Sequence, residues 1–141
     1  MTVEEYFAQA RLLNQMIRSN LREVEDLRSL ACSISSPVLK ERVCSSSPNE
    51  APFVRSVEKI MALEAVIGQK ISMLVDLKEQ IRTVIDALPS HDEQLAVRYR
   101  VLDGYTWEAI GKELHIDAKT AKHWYEMGVS HAKVPDFPVV I

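Results

Sequence analysis

Between residues 54 and 88 an apolar side chain returns at every seventh position: Ile60, Ile67, Leu74, Ile81 and Leu88. Seven residues are close to two turns of an α-helix, so the repeat draws one stripe along a helix, whereas a strand would alternate every second residue. Val57, Leu63, Ile71, Leu77 and Ile85 flank the stripe and widen it. Such a helix is roughly 50 Å long at about 1.5 Å per residue. It cannot stand alone in water with that arc exposed. Gly68 interrupts it at a cost of about 1 kcal/mol relative to alanine, which suggests close approach by another helix.

A partner is at hand. Residues 2–31 contain neither Gly nor Pro, and Val3, Ala10, Ile17, Val24 and Ala31 recur every seven residues. Tyr6, Leu13 and Leu27 fill the companion positions, and Asn20 is the one polar insert. This heptad seam fits either the core face of a small bundle or an intermolecular coiled coil. Residues 33–52, with Pro37, Pro48, Pro52 and several serines, read as a loop long enough to let the two helices pair antiparallel. A seam holding Ala10, Asn20 and Ala31 is too narrow to cover the second helix. A homodimer through the hairpin of residues 1–88 is therefore expected, since contiguous exposed apolar surface marks interaction sites.

Four glycines and 6% aromatic residues in 141 favour helix over sheet. No run of apolar residues reaches the length of a membrane span, and no signal peptide opens the chain, so no membrane and a cytoplasmic location are expected. Cys32 and Cys44 lack metal-ligand spacing and read as reduced thiols. His91, His115, His123 and His131 include no pair one helical turn apart, so no metal site is expected. No phosphate loop, serine elbow or zinc-protease motif is present, and neither a catalytic residue nor a cofactor is expected. The chain is read as a non-enzyme.

Pro89 marks a boundary, after which residues 91–133 read as three short helices. Gly104 supplies a left-handed C-cap to the first. Thr106 N-caps the second, whose apolar face is Trp107, Ile110 and Leu114. After the His115-Ile116 corner, Asp117 caps the third, with Ala121 and Trp124 facing inward. Two short helices meeting at such a turn form the unit that lays its second helix into a DNA major groove.

The run of residues 95–129, with Tyr105-Thr106-Trp107-Glu108-Ala109-Ile110-Gly111 and Ala118-Lys119-Thr120-Ala121-Lys122-His123-Trp124-Tyr125, resembles region 4 of sigma-70-type factors, which reads the promoter −35 element. Together with Arg42-Val43-Cys44-Ser45-Ser46-Ser47-Pro48, Val57-Glu58-Lys59-Ile60 and the long helix, the chain is similar to small phage and prophage transcription regulators of Gram-positive bacteria. His115 departs from that pattern at a corner where glycine is common, and Ala121 replaces a β-branched residue. The resemblance implies an all-α protein: a long antiparallel helical hairpin, residues 1–88, followed by a compact three-helix helix-turn-helix module, residues 89–133, and a flexible tail, residues 134–141. It implies a DNA-binding transcriptional regulator whose partners are double-stranded DNA and RNA polymerase.

The expected contacts are Thr106 at the phosphate backbone, then Lys119, Thr120, Lys122 and His123 in the major groove, with Tyr125 offering its hydroxyl to phosphate. Charge argues the other way. The net charge is −3, and between Asp92 and Lys133 six Lys/Arg face seven Asp/Glu, although phosphate neutralisation supplies most protein–DNA affinity. The alternative is a helical protein-interaction adaptor, or a phage packaging or structural component, that binds no DNA.

Overall fold

The computed structural model describes residues 1–41 and 50–141, and the side chains of 1–32 and 53–141. Among the described residues the protein is all-α, with five helices and no strand: α1 (Val3–Glu41), α2 (Glu50–Asp86), α3 (His91–Val101), α4 (Trp107–Leu114) and α5 (Ala118–His131). No helix among them is long and apolar enough to cross a membrane.

α1 starts at a reciprocal cap. The Thr2 amide donates to the Glu5 carboxylate at 2.8 Å, and the Glu5 amide donates to the Thr2 hydroxyl at 3.1 Å. The pair satisfies two of the donors that a helix start leaves unpaired. The backbone hydrogen bond at Thr2 holds the Glu5 carboxyl below its ordinary value.

Both long helices reach further into the Pro/Ser-rich interval than its composition indicates. α1 runs on through Pro37 to Glu41, and α2 starts at Glu50 with Pro52 already helical. Proline in a first turn costs little, because its missing N–H would have no partner there anyway. Pro37 forfeits one ladder bond within the closing turns of α1. The rest of the expected loop, residues 42–49, lies outside the described residues.

The chain divides into two compact units, one made of Met1–Asn14 with Ser72–Ile141, the other of Gln15–Ile71. The division therefore falls inside α1 and α2 and not at Pro89. In the first unit Tyr6, Leu13, Leu77, Ile81, Ile85, Val97 and Ile110 are fully buried, with Ala96 and Ala121 beside them in the core. Each large apolar side chain so buried is worth about 1.5–3 kcal/mol against exposure.

In the second unit the heptad residues Ile17, Val24 and Ala31 of α1, and Ile60 and Ile67 of α2, are buried. Asn20, the polar insert, has an amide nitrogen shielded from water with no hydrogen-bond partner. Arg28 pairs with Glu64 across the two helices, both side chains well exposed. Val57 and Ile71, read as flanks of the α2 stripe, are exposed, as are Val54, Met61 and Val66. Apart from the adjacent backbone of α2 itself, no atom of the described residues comes within 4 Å of where a Cβ on Gly68 would sit, so the close helix approach expected there is not seen among them.

Candidate nucleic-acid interface

Three short helices position the residues singled out by sequence. α3 carries the platform: Ala96 and Val97 are wholly buried, and Glu93 is 7% exposed. Gly128 lets α5 cross α3 at short range, since a Cβ there would sit 2.6 Å from Val97 Cγ2 and 3.5 Å from Glu93 Cβ. Three residues further along α5, His131 Nδ1 lies 3.1 and 3.0 Å from the two Glu93 carboxylate oxygens. A buried carboxylate is expensive unless hydrogen-bonded, and the imidazole meets that need. α3 ends at a C-cap on Leu102 that is still right-handed, not at the expected glycine cap. Gly104, two residues on, takes φ +70, the left-handed conformation that glycine enters without a Cβ clash.

α4 begins at Thr106, whose hydroxyl accepts from the Ala109 amide at 3.2 Å. That is the N-cap its position indicates, typically worth about 1 kcal/mol. The Trp107 indole is half-buried between two groups. The Arg100 guanidinium carbon lies 4.2 Å above its ring centre, and the Tyr125 ring centre is 5.2 Å away, tilted by 60°. Arg100 also donates to the Tyr105 carbonyl at 3.0 Å, which fixes the guanidinium over the indole. Tyr99 and Tyr105 stack with ring centres 5.3 Å apart and planes 6° from parallel.

The corner between α4 and α5 is tight. His115 adopts φ 56, ψ 45, and the amides of His115 and Ile116 both donate to the Gly111 carbonyl. This is a left-handed C-cap of the Schellman type, occupied by a histidine where glycine is less strained. Gly111 makes it possible, because a Cβ at that position would stand 2.7 Å from the Ile116 carbonyl oxygen. Asp117 holds the N-cap position of α5 with extended backbone, yet its side chain makes no capping hydrogen bond. The expected cap is thus present as backbone only.

The sequence-derived site residues divide by exposure. Thr106, Lys119, Lys122 and His123 are exposed, and Thr120 is half-buried. Lys119, Lys122 and His123 share the outward face of α5, while Ala121 on the opposite side is fully buried. Tyr125 is placed apart from them. It is half-buried against Trp107, and desolvation raises its phenol above the ordinary value, with Arg100 lowering it and Glu4 raising it. Trp124 is half-buried rather than enclosed. The outward face ends at an exposed Glu126, so its positive charge spans only the first two turns.

Sequence reasoning missed Arg100, the Glu93–His131 pair and the two close-approach glycines. A glycine inside a helical pattern was an available signal for Gly111 and Gly128. Residues 93 and 131 share no local pattern. No protein-family model matches the chain, and neither curated proteins nor solved structures give a significant match.

Proposed function

We propose that this protein is a DNA-binding transcriptional regulator of the sigma-70 region 4-like class, in which α4 and α5 form a helix-turn-helix and α5 is the recognition helix. The observation that carries the reading is the exposed trio Lys119, Lys122 and His123 on one face of α5, directly after the left-handed corner at His115. The first turns of a recognition helix are where base edges are met, and lysine suits the acceptors of guanine or a phosphate. Thr106 and the start of α4 would lie at the phosphate backbone.

The balance of six basic against seven acidic residues in this module implies weak binding by one copy. Joined copies or RNA polymerase would supply the missing affinity through effective concentration. The long helices, proposed to pair as an antiparallel hairpin, serve that purpose in this reading. Exposed Val54, Val57, Met61 and Ile71 on α2 support self-association, whereas Ile67 and Leu74 are buried within the chain. A monomeric mass in sedimentation equilibrium at micromolar concentration would leave polymerase as the partner.

The decisive experiment is selection of DNA by the purified protein at moderate salt, with and without RNA polymerase. One enriched sequence is expected, and Lys122→Ala should weaken it by about 1–3 kcal/mol if Lys122 meets a base, or lower affinity equally on all sequences if it meets phosphate. No enrichment in either condition would overturn the reading in favour of a protein-interaction adaptor.

A further inference from the structure

Residues 137–141 follow Pro135, contain Pro138 and were expected to be part of a flexible tail, yet their backbone is held at four points by two side chains. Gln80 Nε2 donates to the Phe137 carbonyl at 2.8 Å, and its Oε1 accepts from the Val139 amide at 2.9 Å. Gln9 Nε2 donates to the Val139 carbonyl at 2.9 Å, and its Oε1 accepts from the Ile141 amide at 3.1 Å. Residues 137, 139 and 141 turn backbone polar groups toward the two glutamines, with the every-second-residue spacing that a strand edge also shows. Each carboxamide pairs with a carbonyl at one residue and the amide two residues on. Two glutamines thus stand in for the edge of a neighbouring strand.

The clamp is built, not incidental. Gln9 is 7% exposed and Tyr6 is fully buried. The Tyr6 hydroxyl donates to Gln80 Oε1 at 2.7 Å, which sets the direction of that amide. The Tyr6 carbonyl accepts a second bond from Gln9 Nε2 at 3.4 Å. Pro138 occupies a position whose missing N–H belongs to the opposite edge, where the clamp does not need it. The polar contacts all go to backbone atoms of the tail, and Phe137 and Val140 are 91% and 59% exposed. The hydrogen bonds themselves do not depend on which side chains the segment carries.

We infer that Gln9 and Gln80, oriented by Tyr6, form a binding site for an extended peptide backbone, occupied in cis by residues 137–141 and open in trans to a second peptide of that kind once the tail is released. This is the logic of strand addition to a sheet edge, with side-chain amides in place of the edge.

The test uses the whole chain of residues 1–141. In the parent protein, hydrogen exchange at the Val139 and Ile141 amides is expected to be at least tenfold slower than at Val140, whose amide faces away. Gln80→Ala should speed exchange at Val139. Val139→Pro deletes the donor to Gln80 and releases the tail without shortening the chain. A fluorescein-labelled peptide with the sequence of residues 134–141 should then bind the Val139→Pro protein. N-methylation of the peptide at the two positions matching Val139 and Ile141 should weaken it at least tenfold, and alanine at the position of Phe137 should leave it unchanged. Equal exchange at all three amides would overturn the cis clamp. An absence of peptide binding, or binding indifferent to N-methylation, would overturn the site in trans.

Discussion

Gly111 and Gly128 on the one hand, and Gly68 on the other, all sit inside helices, yet they mark opposite kinds of packing. In the unit that holds α3, α4 and α5, a Cβ on Gly111 would meet the Ile116 carbonyl at 2.7 Å, and one on Gly128 would meet Val97 Cγ2 at 2.6 Å. In the unit of residues 15–71, a Cβ on Gly68 would meet nothing within 4 Å. The first region is built by backbone approaching backbone or a fully buried side chain. The second buries the heptad residues of α1 and α2 while leaving the surroundings of its helical glycine open. One residue type is thus a structural requirement in the first place and a thermodynamic liability in the second.

The largest expected effect probes the requirement. Gly128→Ala and Gly111→Ala should each destabilise the protein by about 1–3 kcal/mol, the cost of overpacking a site that cannot relax. Val97 has no exposed surface into which to withdraw, and the Ile116 carbonyl is part of the corner itself. A denaturant midpoint unchanged by either substitution would mean that the close approaches are not needed.

A second prediction concerns the same unit at high pH. Burial pushes the Tyr6 phenol up from 10.0 to about 12. The unfolded chain can then release this proton about two pH units before the folded chain does. The stabilisation is complete below pH 10 and is lost as pH rises through the window from about 10 to 12. Tyr6→Phe should flatten the fall in stability across that window. An equally steep fall in the variant would assign alkaline unfolding to other groups.

The smallest effect has the opposite sign. Gly68→Ala should stabilise the protein by up to about 1 kcal/mol, because it removes helix-interior glycine and meets no neighbour. A destabilised Gly68→Ala protein, with a change in mass by sedimentation, would place another helix against that face and erase the contrast between the units.

Much of the architecture was readable from local rules. Period alone located both long helices, and the heptad residues Ile17, Val24, Ile60 and Ile67 are buried as it required. Thr106 acts as read, since a hydroxyl three residues before an orphan amide is a local condition. Gly104 takes the positive φ read for it, but two residues beyond the C-cap, which is Leu102 in right-handed conformation. Local rules failed where competing contacts had to be weighed. They ended α1 ten residues early, because serines and a proline outweighed helix continuation in the reading. They placed Tyr125 at the exposed surface, whereas packing against Trp107 holds it half-buried.

By itself the sequence determined where α1, α4 and α5 start, which stripe of each long helix is apolar, and which residues of α5 point away from its buried side, because each depends on a few neighbouring positions and a fixed helical period. Only the tertiary structure decided which glycines are indispensable, that Glu93 meets His131, that Arg100 covers Trp107, and that Gln9 and Gln80 hold the tail. Most of those pairings join residues far apart in the chain, where no period applies. They exist because a buried carboxylate, carboxamide or amide must find a partner, and the packing of the helices chose which partner stands within reach.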